Sequence, residues 1–223
     1  MPERAWLRRR VEKALSKALF RAYKTVRVDP QRFLLELQAG HGLPVTSYGG
    51  MYLVDPPILD EIAENIIHSG MKIAAAEGAG LGLGGLLTIV PDFSILAGIT
   101  LRTIQKLSLL YGFEYNTDDE MAELWIAAAS AAGVDLGREY LEKNVVNRLV
   151  PRVIRQIAAR ASTEFVEKWA GRLIPVVSSA IGATLNYYFV RGWGERAHAH
   201  FRAKHLARRR EFLLQQPTLA QVP

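Results

Sequence analysis

Apolar residues recur at steps of three and four along most of this chain, and that period admits little besides packed α-helices. Leu7, Val11, Leu15, Ala18, Ala22 and Val26 form one such stripe, widened by Trp6, Ala14, Leu19 and Tyr23. Ile58, Ile62, Ile66 and Ile67 begin a second, Leu124, Trp125, Ala128 and Ala132 a third, and Val153, Ile157, Ala161, Phe165 and Trp169 a fourth. Residues 40–57, with Gly40, Gly42, Gly49, Gly50, Pro44, Pro56 and Pro57, break the period; they read as an ordered loop and the one place with room for short strands. A chain of 223 residues that is 49% hydrophobic suits a single core. The expected fold is therefore all-α, a single-domain bundle of about seven to nine helices around a central Gly-rich apolar hairpin.

Local signals set the expected boundaries. Val28-Asp29-Pro30 ends the first helix and a short helix follows over 31–39. Thr117 and Glu120 have capping-box spacing, and Gly133 closes the helix that they open. Pro151 splits 138–150 from 152–170, and Pro175 begins a last helix that runs to about Leu214, with Gly192 or Gly194 as possible breaks. Three regions result: a basic amphipathic helix over 1–27, an all-helical domain over 28–208, and a tail over 209–223 that is basic and then rich in Gln and Pro.

Charge is strongly segregated. Residues 1–27 carry +7, residues 28–190 carry −6, and the remainder carries +5, within a total of +6. Two basic ends around an acidic middle point to an anionic partner, a lipid surface or nucleic acid. Arg4, Arg8, Arg9, Lys13 and Lys17 at one end and Arg208, Arg209 and Arg210 at the other are the candidate contacts. The N-terminal helix reads first as a stripe docked on its own core with a solvated basic face, a reading compatible with membrane-surface contact. Its basic residues never yield to an uninterrupted apolar core, so it is not a secretory signal, and a cytoplasmic location at the inner face of the membrane is expected.

Glycines crowd the apolar segment over 74–90. The formal G-x-G-x-x-G at Gly80, Gly82 and Gly85 follows a helical pattern, and Gln105 stands where a dinucleotide site needs an acid; no Walker motif occurs. Spacing predicts instead that Gly78 and Gly82 form a small face that packs on Ser178 and Gly182. Pro91-Asp92 would turn this arm into a second one, 93–110, bringing Glu77 within reach of Arg102 or Lys106 as an ion pair, with Asp92 as a helix cap. Charge-free runs of 14 and nine residues fall short of a bilayer span, and the 18 residues over 173–190 barely reach one. Buried core helices are the leading reading, a re-entrant membrane hairpin the second.

Chemistry is constrained by absence. Without Cys there is no thiolate zinc site, iron–sulfur cluster or Cys nucleophile. No G-x-S-x-G or H-E-x-x-H motif occurs, and no metal or cofactor is expected. Glu77, Asp92 and Arg102 are the candidate catalytic residues. His198, His200 and His205 are expected to be solvated on the last helix, and Tyr111, Asn186, Tyr187 and Tyr188 to pack at helix ends.

The pattern A-x-x-E-G-x-G-x-G-x-G-G, then P-D and L-R-x-I-x-x-x-x-x-x-Y-G, over 74–112, resembles the bacterial EcsC family, as does I-P-V-V-S-S-A-I-G-A-T-L-N over 174–186 followed by Phe201. Ser178 stands where that family has Gly, and the resemblance covers roughly 30–206. It implies association with bacterial membranes and transport, a membrane transport protein as possible partner, and no established biochemical activity. Three functions follow in order: a lipid-contacting peripheral membrane accessory protein, an enzyme acting on a lipid or other hydrophobic substrate through Glu77, Asp92 and Arg102, and a nucleic-acid binder using the basic ends.

Overall fold

Helix ends form where local chemistry puts them. Asp29 accepts hydrogen bonds from the amides of Gln31 and Arg32 at 2.9 and 3.2 Å, and Pro30 opens the helix without a wasted donor. The Thr117 side chain accepts from the Glu120 amide while Glu120 accepts from the Thr117 amide, completing the capping box. Gly133, at φ +72°, ends the same helix in the left-handed conformation that suits glycine.

The computed structural model describes residues 2–81, 89–134, 146–169 and 179–215. Over these it contains α1 (Pro2–Thr25), α2 (Pro30–His41), a 3-10 helix (Tyr48–Leu53), α3 (Pro56–Leu81), α4 (Ile89–Leu110), α5 (Asp118–Ala131), α6 (Val146–Trp169) and α7 (Ser179–Gln215). The fold is an all-α multi-helix bundle, with no strand among the described residues. The irregular 40–57 stretch holds the 3-10 helix instead, pinned by buried Tyr48, Met51 and Tyr52.

Two prolines and two glycines act differently from their sequence expectation. Pro151 lies inside α6 and does not split it. It sits near the start of the helix, so its missing N–H costs at most one early hydrogen bond. Pro91 lies in the first turn of α4, which already begins at Ile89, where no intrahelical donor is needed, so Pro91 does not mark the end of the preceding arm. Gly192 and Gly194 lie within α7, which continues for 37 residues. A Cβ at Gly194 would stand 2.9 Å from Ile67 Cγ1, so this glycine lets α7 approach α3 closely.

Packing centres on α3, α4 and α7. The most extensive contact joins α3 to α7, and α4 touches α1, α3, α5 and α7. Gly70 brings α3 onto α4, because a Cβ there would lie 2.7 Å from Thr103 Oγ1. The predicted small face falls elsewhere: Gly82 and Ser178 lie outside the described residues, as do the surroundings of Gly78 and Gly182 on α3 and α7. Among the described residues, Phe93–Leu110 of α4 is the one stretch long and apolar enough to cross a bilayer, but 67% of it is buried as the core helix.

α1 docks its apolar stripe on α4 and α6, burying Val11, Leu15, Ala18 and Leu19. Each buried Leu contributes about 1.5–3 kcal/mol relative to exposure. Gln105, buried on α4, fixes the chain that leaves this helix: its Oε1 accepts from the Val28 amide at 2.9 Å and its Nε2 donates to the Val26 carbonyl at 3.1 Å. Tyr115 adds a hydrogen bond from its hydroxyl to the Val28 carbonyl at 2.9 Å. The N-terminal helix thus shares the core of the bundle.

Candidate functional site

With its apolar stripe on the core, α1 turns its charges outward. Arg8, Arg9, Arg10, Lys13, Lys17, Arg21 and Lys24 are exposed, and none forms an ion pair with a described residue. Trp6, Arg10, Lys13, Lys17, Arg21 and Lys24 follow one another at steps of four and three, so they share one face. Trp6 is 56% exposed and the Arg10 guanidinium lies 5.3 Å from its ring centroid. The side chain of Arg4 lies outside the described residues.

The basic side chains of α7 are used differently. Lys204 Nζ lies 2.7 Å from Glu123 Oε2, and Arg202 Nε lies 2.8 Å from Asp60 Oδ2. Arg209 donates to the Tyr52 carbonyl at 3.0 Å and lies 3.6 Å from Asp55. Arg196 donates to the Ala131 carbonyl, and the Arg208 guanidinium stands 5.1 Å from the Phe113 ring centroid. Of the three C-terminal candidates, Arg210 alone is exposed and engages no described residue.

Asp60, in the second turn of α3, is the hub of this stitching. Its Oδ1 accepts from the Tyr111 hydroxyl at 2.8 Å and from Arg202 Nε at 2.9 Å, with His198 Nε2 at 3.3 Å. Burial alone would raise the carboxyl, but the hydrogen bonds from Arg202, Tyr111 and His198 outweigh it and hold Asp60 below the ordinary carboxylate range. Burial, reinforced by the Asp60 carboxylate, pushes the Tyr111 hydroxyl far up.

The histidines of α7 are not all solvated, contrary to the sequence expectation. His205 is fully buried, stacked on Tyr52 at 5.0 Å between centroids and edge-on to Tyr111 at 5.5 Å. Its Nδ1 lies 3.0 Å from the Tyr111 carbonyl, which can only accept, so Nδ1 carries the proton and buried Nε2 is left with no hydrogen-bond partner. Burial lowers the pKa of His205 and of His200. No group of three or more His, Cys, Asp or Glu residues able to hold a metal occurs among the described residues. The set holds a carboxylate, a phenol, imidazoles and a guanidinium, but it is closed by its own hydrogen bonds. Sequence reading missed Asp60 and Arg202; the available signal was the stripe His198, Arg202, His205 at steps of four and three on one face of α7.

Glu77 and Arg102 form no ion pair with each other. Gly70 faces Thr103 and Ile99, so Glu77 registers near Ser94 and lies about two turns short of Arg102. Glu77 is exposed, the Asp92 side chain lies outside the described residues, and Lys106 pairs with Glu36 at 3.0 Å in place of Glu77. α4 begins at Ile89, ahead of Pro91, so the register that a turn at Pro91 would give does not hold. Arg102 is exposed and makes no hydrogen bond or ion pair with a described residue. It lines a half-open cleft of about 430 Å3 between α2, α3 and α4.

Residues 57–206, from the start of α3 to near the end of α7, match the EcsC protein family. Over 143 residues the chain is 31% identical to Protein EcsC of Bacillus subtilis (strain 168), covering 62% of this chain and 60% of that protein. Over 144 residues it is 26% identical to the uncharacterized protein YdbA of the same organism, covering 58% and 52%. The aligned segments thus span little more than half the length of these relatives. No solved structure matches. The match takes in the Asp60, Tyr111, His198 and Arg202 hub and more than half of the sequence, and this chain belongs to the EcsC protein family.

Proposed function

We propose that this protein is a peripheral membrane accessory protein that rests on the anionic inner face of the cell membrane through the outer face of α1. The observation that carries the reading is a single stripe of Trp6, Arg10, Lys13, Lys17, Arg21 and Lys24, exposed and without ion-pair partners among the described residues. Lys and Arg near an anionic leaflet contribute about 1 kcal/mol each, and Trp belongs at the headgroup level. The apolar stripe of α1 is already spent on the core, so this contact is electrostatic and interfacial, without deep insertion of the helix.

Co-sedimentation of the full chain with phosphatidylglycerol and phosphatidylcholine vesicles, at low and high salt, tests it. Binding to the anionic vesicles that fades with salt, and that is lost in Lys13→Gln/Lys17→Gln/Arg21→Gln, is the expected result. Equal binding to both vesicle types, or none to either, sinks the reading. Deleting α1 is the wrong control, since Leu15 and Leu19 would leave the core with it.

A further inference from the structure

The cleft between α2, α3 and α4 is polarised along its length. α4 supplies Arg102 and Lys106 towards one end and Ile95 and Ile99 towards the other, with about 10 Å of helix rise from Ile95 to Arg102. α3 runs against it in the opposite direction, so Ile66 lies near the cationic end and Ile73 beside the apolar end. Ile73 is 51% exposed and Ile95 38%, an apolar surface that the chain leaves uncovered among its described residues. At the other end Glu36 offsets Lys106, whose ammonium also lies 4.8 Å from the Phe33 ring centroid. Among the described residues Arg102 is left as an uncompensated guanidinium on the wall of a largely apolar cleft.

A cleft of about 430 Å3 falls within the range of about 300–1,000 Å3 that holds small-molecule ligands. A planar guanidinium with no partner among the described residues matches a carboxylate or phosphate bidentately. An apolar trough that leads away from it matches an alkyl chain. A sugar or nucleotide would leave the isoleucines unused, and a hydrocarbon would leave Arg102 unpaired. We propose that this cleft binds one single-chain anionic amphiphile, its headgroup on Arg102 beside Lys106 and its alkyl chain along Ile99, Ile95 and Ile73. The inference deepens the membrane reading by naming a lipid-derived ligand, yet stands on residues remote in sequence from the α1 stripe.

The chemistry has two sources, a free fatty acid or a lysophospholipid. Calorimetric titration of the full chain with palmitate and with 1-palmitoyl-lysophosphatidylglycerol, both below their micelle concentrations, separates them. Saturable binding of one molecule per chain by either ligand is expected, and the one that binds more tightly identifies the source. Dodecyltrimethylammonium is expected not to bind. Arg102→Glu and Ile95→Glu, both at exposed positions that the fold tolerates, should each weaken binding about tenfold or more while the melting temperature holds. Absence of saturable binding, equal affinity for the cationic detergent, or affinity unmoved by both variants overturns the proposal. Lys13→Gln/Lys17→Gln/Arg21→Gln separates the two readings: palmitate affinity should survive there while vesicle binding is lost. Loss of palmitate affinity in that triple variant would place the ligand on α1 and overturn the cleft.

Discussion

α1 and α7 both carry long runs of Arg and Lys, and the sequence presents them as mirror images. In the folded protein they are opposites. Four cations of α7, Arg196, Arg202, Lys204 and Arg209, reach across the bundle to Asp60, Glu123, Asp55 and two backbone carbonyls, so their charge is consumed in holding helices together. Those of α1 from Arg8 to Lys24 face solvent with no ion-pair partner among the described residues. The acidic middle of the chain accounts for the difference: Asp55, Asp60 and Glu123 lie along the elements that α7 crosses, whereas α1 rests on the apolar surfaces of α4 and α6. Net charge measures what a segment carries. What it can offer a partner is the part left unpaired.

The contrast can be broken most strongly from the apolar side of α1. Leu15→Ala should cost about 3 kcal/mol of unfolding free energy in a denaturant titration, because Leu15 is 2% exposed against the core. An α1 that contributed only a charged surface would show almost no loss. On its other side, Lys13→Gln/Lys17→Gln/Arg21→Gln should leave stability within about 0.5 kcal/mol but lower affinity for phosphatidylglycerol vesicles about 100-fold at low salt.

The α7 side predicts the reverse allocation. Asp60→Ala should destabilise by about 2 kcal/mol, less than a fully buried pair because the Arg202 side chain is 42% exposed. Vesicle affinity should stay unchanged, and a drop comparable to that of the α1 triple variant would mean that α7 also touches the membrane.

The smallest effect is on the pH profile. Burial keeps the His205 imidazole below the usual 6.5, so on acidification the unfolded chain takes up this proton before the folded one does. The stability from neutral His205 is complete above about pH 6.5 and is lost as pH falls through the lowered folded value. His205→Asn retains a donor for the Tyr111 carbonyl and cannot titrate. Thermal melts between pH 7 and 5 should therefore show a shallower slope, by at most about 1.4 kcal/mol per pH unit. His200 titrates in the same direction and keeps part of the slope. Asp60 acts lower: its stabilisation is full above the usual 3.8 and is lost as pH falls through its lowered folded value.

How much could be read in advance differs by element. The N-terminal stripe was legible as docked because Val11, Leu15 and Leu19 repeat at a helical period, and the structure buries each of them. Pro151 misled because its effect depends on where the helix begins, and Val146 puts it within reach of an early turn. Glu77 and Arg102 were paired in expectation on a turn at Pro91. α4 already begins at Ile89, and a small shift in where the second arm starts displaces its partners on the first by about twice that number of residues. The cleft had no local signature, since Glu36 and Lys106 are 70 residues apart.

The sequence by itself determined the helical class, the caps at Asp29 and Thr117 and the terminator at Gly133, because these depend on residues three or four positions apart and on backbone sterics. It also determined the family, through the residues now matched over 57–206. Tertiary structure alone decided which charges are free and which polar groups are buried. Arg202 meets Asp60 across a separation of 142 residues, and His205 loses its water only when Tyr52 and Tyr111 close over it. Ion pairing and desolvation depend on distance and burial in space, and neither is encoded at the spacing where a helix periodicity can be read.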